Sequence, residues 1–279
     1  MSFPRTQIEN LSVPRMLIGT NWFTGYSHTS AAKDKFICKV QNRKNLADII
    51  ETFMRAGVDA IYGVGPGASP LNEAVADAED RVGSKCIRIG TPHLDLSGTA
   101  EAHAANEKTF DDFAAIGCDV CLPHMCITDA MVDRKTESIP GMDEFCAMIR
   151  QRGMIPGLST HMPETVIYAD KSDLDVGTYV QIYNAAGFLM QLEVDWVHRI
   201  IHEAKKPVIT IKPLAAGRLL PLVGLAFNWA TLRDRDMICI GCLTADEAQE
   251  VIDISLSQLS RQGPAVELQS TRSKKSVTR

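Results

Sequence analysis

No apolar run in these 279 residues approaches the ~18 positions that suggest a membrane span, and the opening stretch MSFPRTQIENLSVPR lacks the apolar centre of a signal peptide. These two absences make the cytoplasm the expected compartment and leave no expected membrane partner. Excess positive charge is missing too: the formal net charge is −5, and no concentrated basic field occurs within the body of the chain. Gripping a phosphate backbone needs such a field, so nucleic acid is not an expected partner and a small molecule is. There is also no Gly-x-Gly-x-x-Gly turn between a first strand and its helix, the fingerprint of an open dinucleotide-binding sheet. GVGPG at 63–67 follows the second strand-like run and reads as a turn.

Cysteine, by contrast, is not scarce. The chain has eight, several of them inside apolar runs (KCIRIG, CDVCL, MICIGC), where a thiol packs as a small hydrophobe; reduced, buried thiols are expected. Cys118-x-x-Cys121 and Cys239-x-x-Cys242 resemble zinc pairs in spacing, but residues three apart on a strand face opposite sides, and more than a hundred residues separate the pairs. Cys126 is the one cysteine left to consider as a ligand or nucleophile.

At 45% hydrophobic and 23% charged, the chain can bury a large core. Short runs rich in Val, Ile and Leu begin at Met16, Val58, Cys86, Asp119, Met154, Tyr179, Pro207 and Met237. Segments of helical period separate most of them: Leu46–Phe53, the stretch opened by Ser69-Pro70, another opened by Thr109, and Met142–Arg152. Thr244 and Glu247 form a capping box that opens a last helix. Eight strand–helix units imply right-handed crossovers and a parallel sheet closed into a single (β/α)8 TIM barrel of class α/β over residues 1–260. Residues 261–279, polar and basic, read as a loose tail.

In this fold, function sits where the strands end and the following loops begin. His93, His124 and His161 end three consecutive strands. Adjacent parallel strands lie about 4.8 Å apart, so these imidazoles can converge on one divalent metal or act separately as acid–base groups. Tyr62 ends the second strand, and Asn21 and His28 lie in the loop after the first, NWFTGYSHTSAAKDK, whose aromatics and hydroxyls suit closing over a polar ligand. Gln181 and Asn184, on and after the sixth strand, join the expected substrate contacts. Lys212, at the end of the seventh, reads either as a desolvated amine able to form a Schiff base or as an anion-binding cation. Gly217, Arg218 and the helix start at Thr244 lie where barrels often hold phosphate. His198 and His202 have the i, i+4 spacing of helical metal ligands but lack the glutamate of His-Glu-x-x-His; with His103 they are expected at the surface.

The segments CLPHMCITD, IPGLSTHMPE, YVQIYN, IKPLAAGRLLP and CIGCLTADEAQEVID resemble, in order, the second half of the aldo-keto reductases. That resemblance implies a (β/α)8 barrel that reduces carbonyls with NAD(P)H, using an aspartate, a tyrosine, a lysine and a histidine. His124 matches the family histidine. Tyr62 stands where the aspartate is expected, no tyrosine follows it in GVGPGASPLNEA, and Pro92-His93 replaces the threonine–lysine pair. Without the tyrosine and lysine the carbonyl oxygen has no matched acid. The expectation is a reductase-like barrel with altered chemistry: a metal-assisted or histidine-based acid–base reaction on a small polar or phosphorylated carbonyl compound. An NAD(P)H-dependent oxidoreductase and a non-catalytic ligand-binding barrel are the alternatives.

Overall fold

The structure, a computed structural model, describes residues 2–67 and 69–263. Residues 264–279, most of the expected basic tail, lie outside the described residues.

The chain begins with an antiparallel hairpin, β1 (Arg5–Ile8) and β2 (Leu11–Pro14), which lies outside the eight expected strands. Eight strands follow: β3 (Met16–Gly19), β4 (Ala60–Val64), β5 (Ile87–Gly90), β6 (Cys118–Cys121), β7 (Ile155–Ser159), β8 (Thr178–Ile182), β9 (Val208–Ile211) and β10 (Met237–Ile240). Each pairs in parallel with its neighbours, and β10 returns to β3 to close the barrel. All eight expected strands are present. Their apolar continuity has a plain cause, since a parallel barrel strand is covered on both faces. Leu17, Ala60, Ile89, Val120, Val180, Ile209 and Met237 fill the interior. Their neighbours Met16, Ile18, Ile61, Cys121, Tyr179 and Ile238 face the helical layer. The hairpin seals the base, because fully buried Ile8 and Val13 belong to the interior cluster.

The helices pack by the same logic. In α3 (Arg43–Arg55), Leu46, Ile49, Ile50 and Phe53 recur on one face and are buried, each contributing roughly 1.5–3 kcal/mol of apolar transfer. The Asn42 side chain caps it by accepting from Asn45 N at 3.1 Å. α5 spans Ala100–Ala115 and starts at Thr99, whose hydroxyl accepts from Ala102 N at 3.1 Å. The expected start at Thr109 is therefore corrected: Thr109 lies inside the helix and turns its hydroxyl back to Ala105 O, 2.9 Å away. The weakly patterned AEAHAANEK conceals the first two turns. Likewise the expected lid loop after β3 holds two helices, α1 (Asn21–Thr24) and α2 (Ala31–Val40). The last helix, α11 (Ala245–Leu259), opens as expected at Thr244.

Candidate active site

The strand ends carry two groups of polar side chains at the mouth. The first surrounds a cavity of about 380 Å³ between the ends of β3, β4, β9 and β10. Lys212 is its chemical centre. The residue directly follows β9 with a left-handed backbone (φ 60°), and Ala215 (φ 50°), Ala216 (φ 56°) and Gly217 (φ 81°) return to that region. Non-glycine residues occupy it at a cost, so the loop that presents the amine is strained. Bonds from Ala215 N to Lys212 O at 2.8 Å and from Gly217 N to Leu214 O at 3.0 Å hold its curl. The Lys212 amine has no hydrogen-bond or ion-pair partner among the described residues, and burial pulls its pKa down to about 8.

Cys239 and Tyr62 share this wall. Burial pushes the Cys239 thiol up to about 12, so it is neutral beside Lys212. Tyr62 reaches across the interior to Ser159 Oγ, 3.1 Å from its hydroxyl, and burial raises its phenol far above the ordinary value. The phenol accordingly keeps its proton. The strand carrying it lies tight against β3 because residue 63 is glycine: at φ 93° a Cβ would sit 2.4 Å from Thr20 Oγ1.

Asn21 and His28 line the same cavity, with Asn21 Nδ2 3.3 Å from His28 Nε2. The His28 imidazole is held below its usual range by burial first and then by Lys212, against the opposing pull of Asp34. Gly217 and Arg218 also border the space. The Arg218 guanidinium stacks 3.9 Å from the Phe188 ring centre and donates to Ala215 O at 3.0 Å. Its hydrogen bonds hold the loop, and its charge remains available at the rim. Thr244 spends its hydroxyl on Glu247 N (3.1 Å), while the Glu247 carboxylate accepts from Leu243 N (2.7 Å). The start of α11 is thus self-capped, and Glu247 and Glu250 bring two carboxylates to the cavity.

Gln181 and Asn184 are placed elsewhere. Val180 points into the barrel, so its neighbour Gln181 turns outward into the helical layer; it is 1% exposed and does not line the cavity. Asn184 is fully buried and holds the following loop at both ends of its amide: Nδ2 donates to Phe188 O (3.1 Å) and Oδ1 accepts from Phe188 N (2.8 Å).

The second group stands at the ends of β5 and β6. His93 and His124 stack with ring centres 4.2 Å apart. Their backbones are tied by His124 N donating to Pro92 O at 2.8 Å. The third member is Cys126, the second residue of α6 (Met125–Met131): Sγ lies 3.0 Å from His124 Nδ1 and 3.4 Å from His93 Nδ1. The expected trio of His93, His124 and His161 is therefore not what the mouth assembles, since the third donor is a thiol. His161 lies outside this set and does not line the cavity; burial, then Lys212, His124 and His28 push its pKa down to about 4. The imidazole is neutral across the physiological range. His198 and His202 belong to the outer ring, where His202 Nε2 approaches Thr231 O at 2.8 Å. All eight cysteines are free, six buried and two, Cys38 and Cys126, exposed.

No helix among the described residues is long and apolar enough to cross a membrane. No family model matches the sequence, and no curated protein matches it significantly. Solved structures do resemble it. A Pseudomonas aeruginosa protein proposed to be an aldo-keto reductase superposes with a TM-score of 0.64 at 13% identity over 93% of this chain and 96% of that one. An aldo/keto reductase from Klebsiella pneumoniae, solved with NADP and acetate, gives 0.58 at 16% identity over 95% and 98%. The aldose reductase of Giardia lamblia gives 0.54 at 11% identity over 96% and 90%. What these likenesses establish is the fold: the chain is a (β/α)8 barrel of distant structural similarity to the aldo-keto reductases.

Proposed function

We infer that the chain is an enzyme acting on a small polar carbonyl compound in the mouth cavity, with Lys212 as the residue that activates the carbonyl. The observation carrying this reading is a buried amine without a counter-ion, presented by a strained loop to a cavity of about 380 Å³, a size suited to a small molecule. Burial takes the amine toward neutrality near physiological pH, the state in which its lone pair adds to a carbonyl carbon. The carbonyl oxygen then takes up protons and leaves as water, giving a C=N⁺ linkage that acidifies the neighbouring C–H. Tyr62, held protonated, supplies a hydrogen bond to the oxygen, and His28, which lines the cavity, is the imidazole for proton transfer, with neutral His161 beyond the lining. The partner is a small molecule, in a reducing compartment that keeps the eight thiols free.

The test is reductive trapping. Incubated with pyruvate or dihydroxyacetone and borohydride, the protein should carry a stable adduct on the Lys212 peptide, formed faster than on exposed lysines such as Lys44 and absent in Lys212→Arg. Labelling of Lys212 no faster than of surface lysines with either compound would overturn the reading.

A nicotinamide-dependent oxidoreductase is the second reading, favoured by the NADP-bound Klebsiella neighbour and by the cavity's position between the β9 loop and α11. The residues present fit that group poorly. Glu247 and Glu250 line the cavity on the α11 side, where they would repel a cofactor phosphate, Thr244 is occupied as a cap, and Arg218 and Lys212 are the cations among the described lining residues. Titration with NADPH followed by fluorescence decides it: saturable binding that Arg218→Ala weakens would restore this reading.

A further inference from the structure

The stacked histidines and the thiol beside them stand apart from the cavity: none of His93, His124 and Cys126 lines it. They need their own account. One donor atom from each can be chosen so that all three lie within 4.8 Å of one another. Two of the separations are already short, at 3.0 and 3.4 Å from Sγ to the two Nδ1 atoms. A tetrahedral ion with nitrogen ligands at about 2.0–2.1 Å and sulfur at about 2.3 Å places its donors roughly 3.3–3.6 Å apart, a spacing that side-chain rotation can reach from the separations already present. The backbone around the site is firm: His124 N donates to Pro92 O and His124 O accepts from Ile127 N, each at 2.8 Å. Binding displaces the 3.3 Å bond from Cys126 N to His124 Nδ1 and turns the stacked rings so that their in-plane lone pairs converge. His93 and Cys126 are exposed, which opens a path for an ion from solvent.

We propose that His93, His124 and Cys126 form a binding site for a borderline or soft cation such as Zn(II), with the fourth position open to water. Two imidazoles and a thiolate, with no carboxylate among the three, select zinc, cobalt(II) or copper(I) over magnesium and calcium. Binding displaces the thiol proton to solvent and ties the ends of β5 and β6 together. The site does not depend on the carbonyl reading, and either can fail without the other.

Cobalt(II) provides the probe. Titration of the purified, metal-stripped full chain under reducing conditions should give one equivalent of uptake, a sulfur-to-cobalt charge-transfer band and the visible bands of a tetrahedral ion. Cys126→Ser should abolish the charge-transfer band, and His93→Ala should weaken cobalt and zinc binding by roughly 100-fold. Both residues are exposed, so neither change threatens the fold, and Cys38→Ser serves as the control that leaves the spectrum unaltered. Zinc should also raise the melting temperature of the wild type and of Cys38→Ser but not of Cys126→Ser. Absence of the charge-transfer band, or a band that survives Cys126→Ser, would overturn the site.

Discussion

The two ends of the barrel treat charge in opposite ways. At the base, buried ionic groups are fully matched. Asp236, wholly buried, accepts from Val208 N at 2.9 Å and from Arg233 through Nε and Nη2 at 2.7 Å each. Glu79 accepts from Cys86 N at 2.8 Å and pairs with Arg88 at 3.0 Å, and Arg15 donates to Asp236 O at 3.1 Å and Arg233 O at 2.8 Å. At the mouth, Lys212 has no such partner and His161 is held neutral by burial and then by the Lys212 charge. Unmatched polar groups cost stability, and a fold that satisfies them at one end and leaves them open at the other marks the open end as the working one.

The largest effect should come from breaking the matched end. Asp236→Ala leaves the Val208 N–H and the Arg233 Nε–H without an acceptor and the guanidinium without its counter-ion, and removing one partner of a buried pair costs about 3–5 kcal/mol. Urea unfolding should show that loss. Reductive trapping at Lys212, measured well below the unfolding midpoint, should be unchanged. A stability loss under about 1 kcal/mol would mean that the base is less dependent on this network than its geometry implies.

Lys212→Met should act in the opposite sense and stabilise the protein by on the order of 1–3 kcal/mol at pH 7, since it removes a buried charge without a partner. The pH window follows from the depressed pKa. In the unfolded chain the amine keeps its proton up to its ordinary 10.5, whereas in the folded protein it releases it near 8. Below pH 8 the full burial penalty applies; between 8 and 10.5 the unfolded state binds more protons, so wild-type stability rises with pH. The advantage of Lys212→Met should therefore shrink across that window, as urea midpoints at pH 7, 9 and 10.5 would report. A variant less stable than the wild type at pH 7 would mean that the amine has a favourable partner.

Much of this contrast was legible in the sequence, for reasons that particular residues show. Strands such as MICIG and PVITI announce themselves because both faces are buried, and barrel geometry then directs attention to Tyr62, His93, His124 and Lys212 at their ends. The hairpin went unseen because RTQI and LSVP each bury few residues, one or two at their ends, too little pattern to stand out. Convergence beyond a strand end depends on the path of the loop, which no spacing encodes. His161 stands two residues past β7, as His93 stands three past β5, yet Cys126 is the third donor because His124 caps α6 and starts a helical turn that returns the thiol to it. Gln181 was misplaced by one step of strand parity, which turns a side chain from interior to exterior. Asn184 offered the right chemistry for a ligand, but the loop that follows uses both ends of its amide.

The smallest effect tests whether the open end behaves as one coupled group. His161 is depressed to about 4 from the ordinary 6.5, so below pH 6.5 the unfolded chain takes up a proton that the folded protein refuses until about pH 4. Stability should fall across that window, and His161→Gln should remove roughly 1 kcal/mol of the fall, a figure discounted for partial exposure. Burial is the first cause of the depression and the Lys212 charge the second, so Lys212→Met should raise the His161 pKa, followed through its imidazole proton resonances. Across this pH range the amine is fully charged, so Lys212→Met takes a complete positive charge away from the imidazole. An unmoved His161 would show that its neutrality does not depend on the Lys212 charge and that the two groups do not share a site. A shift toward 6.5 would place both in one field, ready to exchange a proton with a compound bound between them.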